Sequence, residues 1–400
     1  MTGTTDTSVL SDTAFANAFF AGADQPILAS IAADRAFDVG HALRWAARSR
    51  KISVVRLAFD IMRRQIGRQK LTPKDYFHFG LHLEKFTNAD RARFIGDSAA
   101  SVLNKAISDP DISAIWRDKV ATAQALEAAG LPTPPIRAVF QIKGQLGPYH
   151  NLTSAQALTD YLSKGANLPF FGKPIDGSHG RGAISVVARA GTDRLVLGDG
   201  RVVEVAQLVE EIVQAYPHGY LFQDKLRQHP DVAALAGPVM CSLRILSVWV
   251  GDKFTPLYSR MRLPAPGAML DITCTSTAAI DFAYGRILRT QDGRRLGGHS
   301  LTHSLVTGAP LIGAQLPDWT RVMELSEAAH ALFPTQGIMG IDIALTDDGP
   351  TIVELNSSPK HGGYHQTNDN GLLNPAFRKV FATALAERGI TKRGRGMLVP

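Results

Sequence analysis

The run from Gly340 to Asn356, GIDIALTDDGPTIVELN, constrains this chain more than any other segment, because it reads as two β-strands joined by a tight turn. Ile341, Ile343 and Leu345 alternate with Asp342 and Ala344, as on a half-buried strand. Asp347-Asp348-Gly349-Pro350 supplies the turn, and Ile352, Val353 and Leu355 begin the return. Asp342, Glu354 and Asn356 can then meet across the hairpin. Three hard oxygen donors suit a magnesium ion whose remaining ligands are phosphate oxygens and water. A solvated hairpin with unrelated acids satisfies the same local pattern.

A second segment, Phe170 to Val187, reads strand, glycine-rich turn, strand. Gly177, Gly180 and Gly182, with Ser178 among them, leave room for backbone N–H groups to approach an anion, and Lys173 ends the first strand beside them. The alternative is an ordinary tight turn with a surface lysine. No GxxxxGK[ST] loop is present, and no helical pattern follows the glycines, so neither a Walker loop nor a dinucleotide fingerprint fits.

With these two segments in view, the chain resembles the ATP-grasp superfamily, and within it the sugar-transfer-associated ATP-grasp proteins, over most of its length. Asp118-Lys119, followed by Leu126 and by Gly130-Leu131-Pro132-Thr133-Pro134, resembles the family's opening helix, its phosphate-reaching lysine and its exit turn. Tyr220 to Leu226 is similar to the strand whose end meets adenine. Asp224 and Leu226 carry over there mainly as backbone positions, with Gln223 where relatives often have Glu. Arg227-Gln228-His229-Pro230 and Cys241-Ser242-Leu243-Arg244-Ile245 resemble subfamily signatures. The resemblance implies an α+β ATP-grasp fold: two α+β subdomains clasping ATP, at 113–219 and 220–400, preceded by a mainly helical N-terminal domain at 1–112. It implies ATP and two Mg²⁺ ions, with Asp342, Glu354 and Asn356 as metal ligands and Lys119, Lys173, Gly177, Ser178, Gly180, Gly182, Gln223, Asp224 and Leu226 at the nucleotide.

Two departures stand out. Many ATP-grasp ligases carry an arginine two residues before the metal aspartate, and here that position is Gly340. The anion-stabilising role then falls to Arg244, or to Arg260 or Arg262 on the stretch Tyr258 to Arg262, with Lys173 assisting. Arg244 lies on an apolar alternating strand, where an uncompensated guanidinium is costly, so it needs a partner: Asp271 or Asp281 as a structural partner, or a phosphate. Relatives also tend to have Asp-Asn where this chain has Asp271-Ile272.

Composition is that of a cytoplasmic enzyme: 45% hydrophobic residues, no apolar run near the ~18 residues that span a bilayer, and no basic region followed by an apolar stretch at the N-terminus. Cys241 and Cys274 are too few for a disulfide framework and read as small hydrophobes. Much of the net charge of +7 gathers between Arg35 and Lys70, where Ile52, Val55, Leu57, Ala58, Ile61, Met62 and Ile66 fall near helical spacing. That predicts an amphipathic helix with a basic outer face over 44–70, solvated or in peripheral contact with an acidic partner or anionic lipid. No stacking aromatics accompany the charge, which argues against nucleic acid. Further expectations are Thr72 as helix cap before Pro73, a strand from Ile136 to Gln141, and helices Ser154 to Lys164 and Pro317 to Phe333. The tail 391–396 is expected to be mobile. The loop 360–371 leaves the hairpin toward the reacting phosphate, with His361, His365, Gln366 and Asn370 as candidates to touch substrate.

The activity implied is an ATP- and Mg-dependent ligase joining a carboxylate to an amine, on a sugar or cell-envelope precursor. The alternatives are a kinase-like phosphotransferase acting on a sugar hydroxyl, and a non-catalytic nucleotide-binding module in polysaccharide assembly.

Overall fold

The structure, a computed structural model, describes residues 27–28, 37–142, 147–163, 168–177, 180–270, 276–292 and 300–390. Ser178, Asp271, Cys274 and the tail 391–396 lie outside the described residues. The first helices are α1 (Val39–Ser49), α2 (Val54–Ile66), α3 (Pro73–His78) and α4 (Asn88–Arg91). Thr72 caps α3 as expected. Its hydroxyl accepts from Asp75 N at 3.0 Å, and the Asp75 carboxylate accepts from Thr72 N at 3.0 Å, a reciprocal capping box with proline at the first helical position. Leu57, Ile61, Tyr76, Phe77 and Phe94 form the core between these helices.

The inward face of α2 differs from the expected one. Leu57 and Ile61 are buried, but Val55 is 76% and Ile66 70% exposed, with Phe59 and Met62 also outside. Arg64 turns inward instead, because Asp60 Oδ1 (3.1 Å), Gln69 Oε1 (3.0 Å) and Asn88 Oδ1 (3.3 Å) accept its N–H groups. A guanidinium so satisfied is cheaper to bury than the periodicity alone allows.

Two sheets follow α5 (Asp97–Ile107), α6 (Pro110–Ile115) and α7 (Lys119–Ala128). The first comprises β1 (Ile136–Phe140), β2 (His150–Leu152), β3 (Phe170–Pro174), β4 (Ile184–Arg189), β5 (Arg194–Leu197), β6 (Val202–Glu204) and β7 (Tyr220–Asp224), in the order β2-β1-β7-β3-β4-β5-β6. Only β1 and β2 run parallel. β7, expected to open the C-terminal half, is instead a central strand here, paired with both β1 and β3. Helices α8 (Ala155–Ser163) and α9 (Val205–Ala215) bury Leu158, Leu162, Leu208 and Ile212 on one face, while α7 covers the other with Val120 and Ala123.

After α10 (Pro230–Ala236), the second sheet contains β8 (Ser242–Val250), β9 (Lys253–Leu263), β10 (Ser276–Ile280), β11 (Ile287–Asp292), β12 (Ile338–Thr346) and β13 (Gly349–Asn356), ordered β11-β10-β9-β8-β12-β13 and antiparallel throughout. On one face α11 (Trp319–Ala331) packs Val322, Leu325 and Ala329 against Leu243, Ile245, Ile341 and Ile343. Leu332, expected inside, is 38% exposed because α11 ends one residue before it. The opposite face meets α5, α12 (Gly362–Thr367) and α13 (Pro375–Glu387). Among the described residues no helix is long and apolar enough to cross a membrane.

Candidate active site

The hairpin forms as its pattern dictates. Ile341, Ile343 and Leu345 face the α11 side, which sends Gly340 and Asp342 to the other face. A side chain at 340 has no room: its Cβ would lie 2.9 Å from Pro359 Cβ. An arginine is thus excluded sterically at this position. Asp342 stands opposite Glu354 on β13 and opposite Arg244 on β8.

Asp342 and Arg244 form a buried bidentate pair. Arg244 Nε donates to Asp342 Oδ1 at 2.6 Å, and Nη2 donates to Oδ2. Asn356 Nδ2 also donates to Oδ2, at 3.3 Å. Burial pushes the Asp342 carboxyl up, but Arg244, with Arg262 and Arg260 behind it, holds it below the usual carboxylate range. Arg244 therefore has a protein partner, and it is not Asp281, whose carboxylate accepts from Ala283 N at 3.1 Å; Asp271 lies outside the described residues.

The lysines of the first half reach this hairpin. Lys173, on β3, donates to Val353 O at 3.3 Å. Desolvation and the neighbouring Lys119 push its pKa down to about 8 against the pull of Glu354, so it remains cationic at neutral pH. Lys119, the first residue of α7, donates to Gly177 O at 2.7 Å and lies 3.8 Å from Glu354 Oε1. One ammonium thus spans the glycine turn and the acidic hairpin.

Between the two sheets lies a cavity of about 720 Å³. Lys119, Lys173, Gly177, Gly180, Gln223, Asp224, Leu226, Arg244, Arg260, Asp342, Glu354 and Asn356 all line it. Gly182 does not: at φ +77 it packs against Tyr216, with 2.3 Å between a would-be Cβ and Tyr216 Oη, and its carbonyl accepts from Tyr220 Oη at 2.7 Å. Gly182 therefore anchors the turn and does not touch the cavity. The side chains at the expected adenine end are turned elsewhere, Gln223 Nε2 to Pro134 O (3.1 Å) and Asp224 Oδ2 to Arg137 Nη2 (2.9 Å). The Asp224 N–H is taken as well, by Pro135 O at 3.0 Å, and Leu226 lines the cavity beyond the strand's end.

His361 and His365, candidates for substrate contact, are inside the protein. His361 Nδ1 bonds the Tyr258 hydroxyl at 2.9 Å, and burial with Arg244 and Arg260 nearby pushes its pKa down to about 3. His365 packs against both Phe79 and Phe94, its ring tilted to theirs, with centroids 4.8 and 5.1 Å away. Gln366 lines the cavity, whereas Asn370 is exposed and outside it.

Sequence reading missed the contribution of the N-terminal helices: Asp75, His78 and Phe79 of the α3 region and Asp97 of α5 line the same cavity, and Lys360 reaches Asp97 at 3.3 Å. The capping box marks where α3 begins, but nothing local indicates which face meets a distant sheet. Arg262 was legible from its i+2 spacing to Arg260, which puts both on one face of β9.

The donor set at the hairpin fits a magnesium ion. It offers carboxylate and amide oxygens with no thiol or imidazole, and the described residues hold no cluster of three or more His, Cys, Asp or Glu that would suit a metal caged by protein alone. Asp342 is paired with Arg244, and Glu354 lies 3.8 Å from Lys119.

A sequence model described as "Sugar-transfer associated ATP-grasp" matches residues 99–380. The chain belongs to that family. Its α+β architecture, two sheets after a helical N-terminal region, is the ATP-grasp fold. No curated protein matches this chain. Among solved structures, N5-carboxyaminoimidazole synthase from Aspergillus clavatus, in complex with ADP and 5-aminoimidazole ribonucleotide, is similar at 12% identity and TM-score 0.36, over 62% of this chain and 46% of that one. D-alanyl-alanine synthetase A from Vibrio cholerae is similar at 13% identity and TM-score 0.42, over 70% of this chain and 67% of that one. D-alanine–D-alanine ligase from Bacillus anthracis is similar at 15% identity and TM-score 0.37, over 69% of each chain. This ATP-grasp chain therefore spans about half the length of the first of these.

Proposed function

We propose that the protein is an ATP- and Mg²⁺-dependent ligase that joins a carboxylate to an amine through an acyl phosphate. The observation that carries this reading is the meeting of Lys119 and Lys173, from the first half of the chain, with the Asp342–Glu354 hairpin over one cavity. Cations and metal-suited acids facing each other across an interior space match a triphosphate better than any neutral ligand.

Lys119 and Lys173 would hold phosphate oxygens, and the glycine turn tethered by Lys119 would cover them. Asp342, Glu354 and Asn356 would hold Mg²⁺, whose chemistry is to neutralise the β- and γ-phosphate charge. A substrate carboxylate oxygen attacks the γ-phosphorus and ADP leaves. The amine then attacks the acyl carbon, loses a proton, and inorganic phosphate departs, so one amide forms for each ATP cleaved. Arg244 would offset the charge on the acyl phosphate once Asp342 is engaged by the metal. Exclusion of water between the two halves protects the acyl phosphate from hydrolysis.

The test is incubation with Mg-ATP and pools of amino acids, sugar acids and amino sugars, followed by assay for free phosphate and amide product. A ligase releases phosphate only when both partners are present, and Glu354→Ala abolishes it. A phosphorylated sugar without free phosphate would establish the kinase reading in its place, and neither product would leave a binding module.

A further inference from the structure

Strand register turns the second sheet into a row of charge. Glu354, Asp342, Arg244, Arg260, Ala279 and Arg289 stand opposite one another on successive strands from β13 to β11. Residues directly opposite on neighbouring antiparallel strands share a face, so the row runs from acids to bases across one surface. The acid end is compensated by Arg244, Lys119 and Lys173. Among the described residues no carboxylate forms an ion pair with Arg260. It is as buried as Arg244, at 8% exposure, and its Nε has no hydrogen-bond partner. It lies across Gly363 at the start of α12, where a Cβ would be 3.0 Å from its Cδ, so the absence of a side chain there makes room for it. Both Arg260 and Gly363 line the cavity.

The charge of the cavity leads the same way. Among the described residues, eight lysines and arginines line it against five carboxylates, an excess of two once Arg262, which has a partner of its own, is left out. ATP⁴⁻ with two Mg²⁺ is neutral and leaves that excess in place. A buried cation without a counter-ion is expensive, and a guanidinium is the group best matched to carboxylate or phosphate.

We infer that the carboxylate substrate of this site carries a second anionic group, carboxylate or phosphate, bound by Arg260, two strands from Asp342. Two strand spacings are about 10 Å at the backbone, which leaves the reacting carboxylate at the acid end and the second anion at the basic end. The inference rests on the ligase reading for the identity of the first group. A monocarboxylic acid fills only half of the row.

The test compares butyrate, glutarate and 3-phosphoglycerate by calorimetry at physiological salt, with and without a non-hydrolysable Mg-ATP analogue. The wild-type protein is expected to bind glutarate or 3-phosphoglycerate at least about tenfold more tightly than butyrate, and the stronger of the two identifies the second group. Arg260→Gln loses that preference and Arg260→Lys keeps part of it, since lysine retains the charge but not the fork. Equal binding of butyrate and the dianions by wild type, or a preference that survives Arg260→Gln, overturns the inference. So does a fall in the melting temperature of ligand-free Arg260→Gln, which would make the arginine a structural strut. Preferential dianion binding without phosphate release on addition of Mg-ATP and amines would sink the ligase reading while leaving the anion site standing.

Discussion

Arg244 and Arg260 face each other across β8 and β9, equally buried, and differ only in what they touch. Arg244 holds both oxygens of Asp342; Arg260 leaves its Nε unbonded. Burial lowers the affinity of both guanidinia for a proton. Asp342 more than reverses this at Arg244, whereas at Arg260 burial together with Arg244 and Arg262 brings the pKa down to about 10. Two identical side chains on adjacent strands are thus one half of a completed pair and one open valence. A buried charge with its partner present contributes to the folded state, and one without a partner destabilises it until a ligand arrives.

The largest effect expected from breaking this contrast is Asp342→Ala, which strands Arg244 and should cost about 3–5 kcal/mol in urea unfolding. Arg244→Met in that background should restore much of the loss, and a double-mutant cycle without coupling would refute the pairing. Next in size, and opposite in sign, is Arg260→Met, expected to stabilise the ligand-free protein by about 1–2 kcal/mol, because it removes a desolvated charge at little cost in packing. A destabilisation of that size would mean that Arg260 has a partner after all.

The smallest effect is pH dependence. His361 is held neutral in the fold, with its pKa pushed down to about 3 by burial and by both arginines. Its folded value is below its unfolded one, so its contribution is complete above about pH 6.5 and is lost as pH falls toward 3. Between pH 7 and 6 that amounts to about 0.7 kcal/mol, and His361→Asn should flatten the unfolding free energy by that amount. An unchanged slope would show that His361 is solvated or already charged.

Much of this arrangement could be read beforehand, and where it could not, the reason is range. The hairpin at Asp342, the cap at Thr72 and the strand carrying Lys173 depend on neighbours within a few positions, and each formed as its pattern implies. The face of α2 did not, because two apolar stripes compete on it, and the decision went to Arg64, whose acceptors Gln69 and Asn88 lie off the helix. The partner of Arg244 was also hidden. Asp342 is 98 positions away and meets it only through the register of β8 and β12. His361 and His365 look alike as loop histidines, and only their packing beside Tyr258 and Phe79 takes them out of the cavity.

By itself the amino-acid sequence determined which segments become strands and helices, and which charged groups would have to be accommodated. Alternation, turn chemistry and capping act over two to four residues, and those distances are written into the chain. Tertiary structure alone decided which arginine was given a carboxylate and which was left waiting, and that the helical N-terminal region would wall the cavity. Strand register and helix docking are set by packing between residues far apart in sequence, and a local pattern carries no record of that.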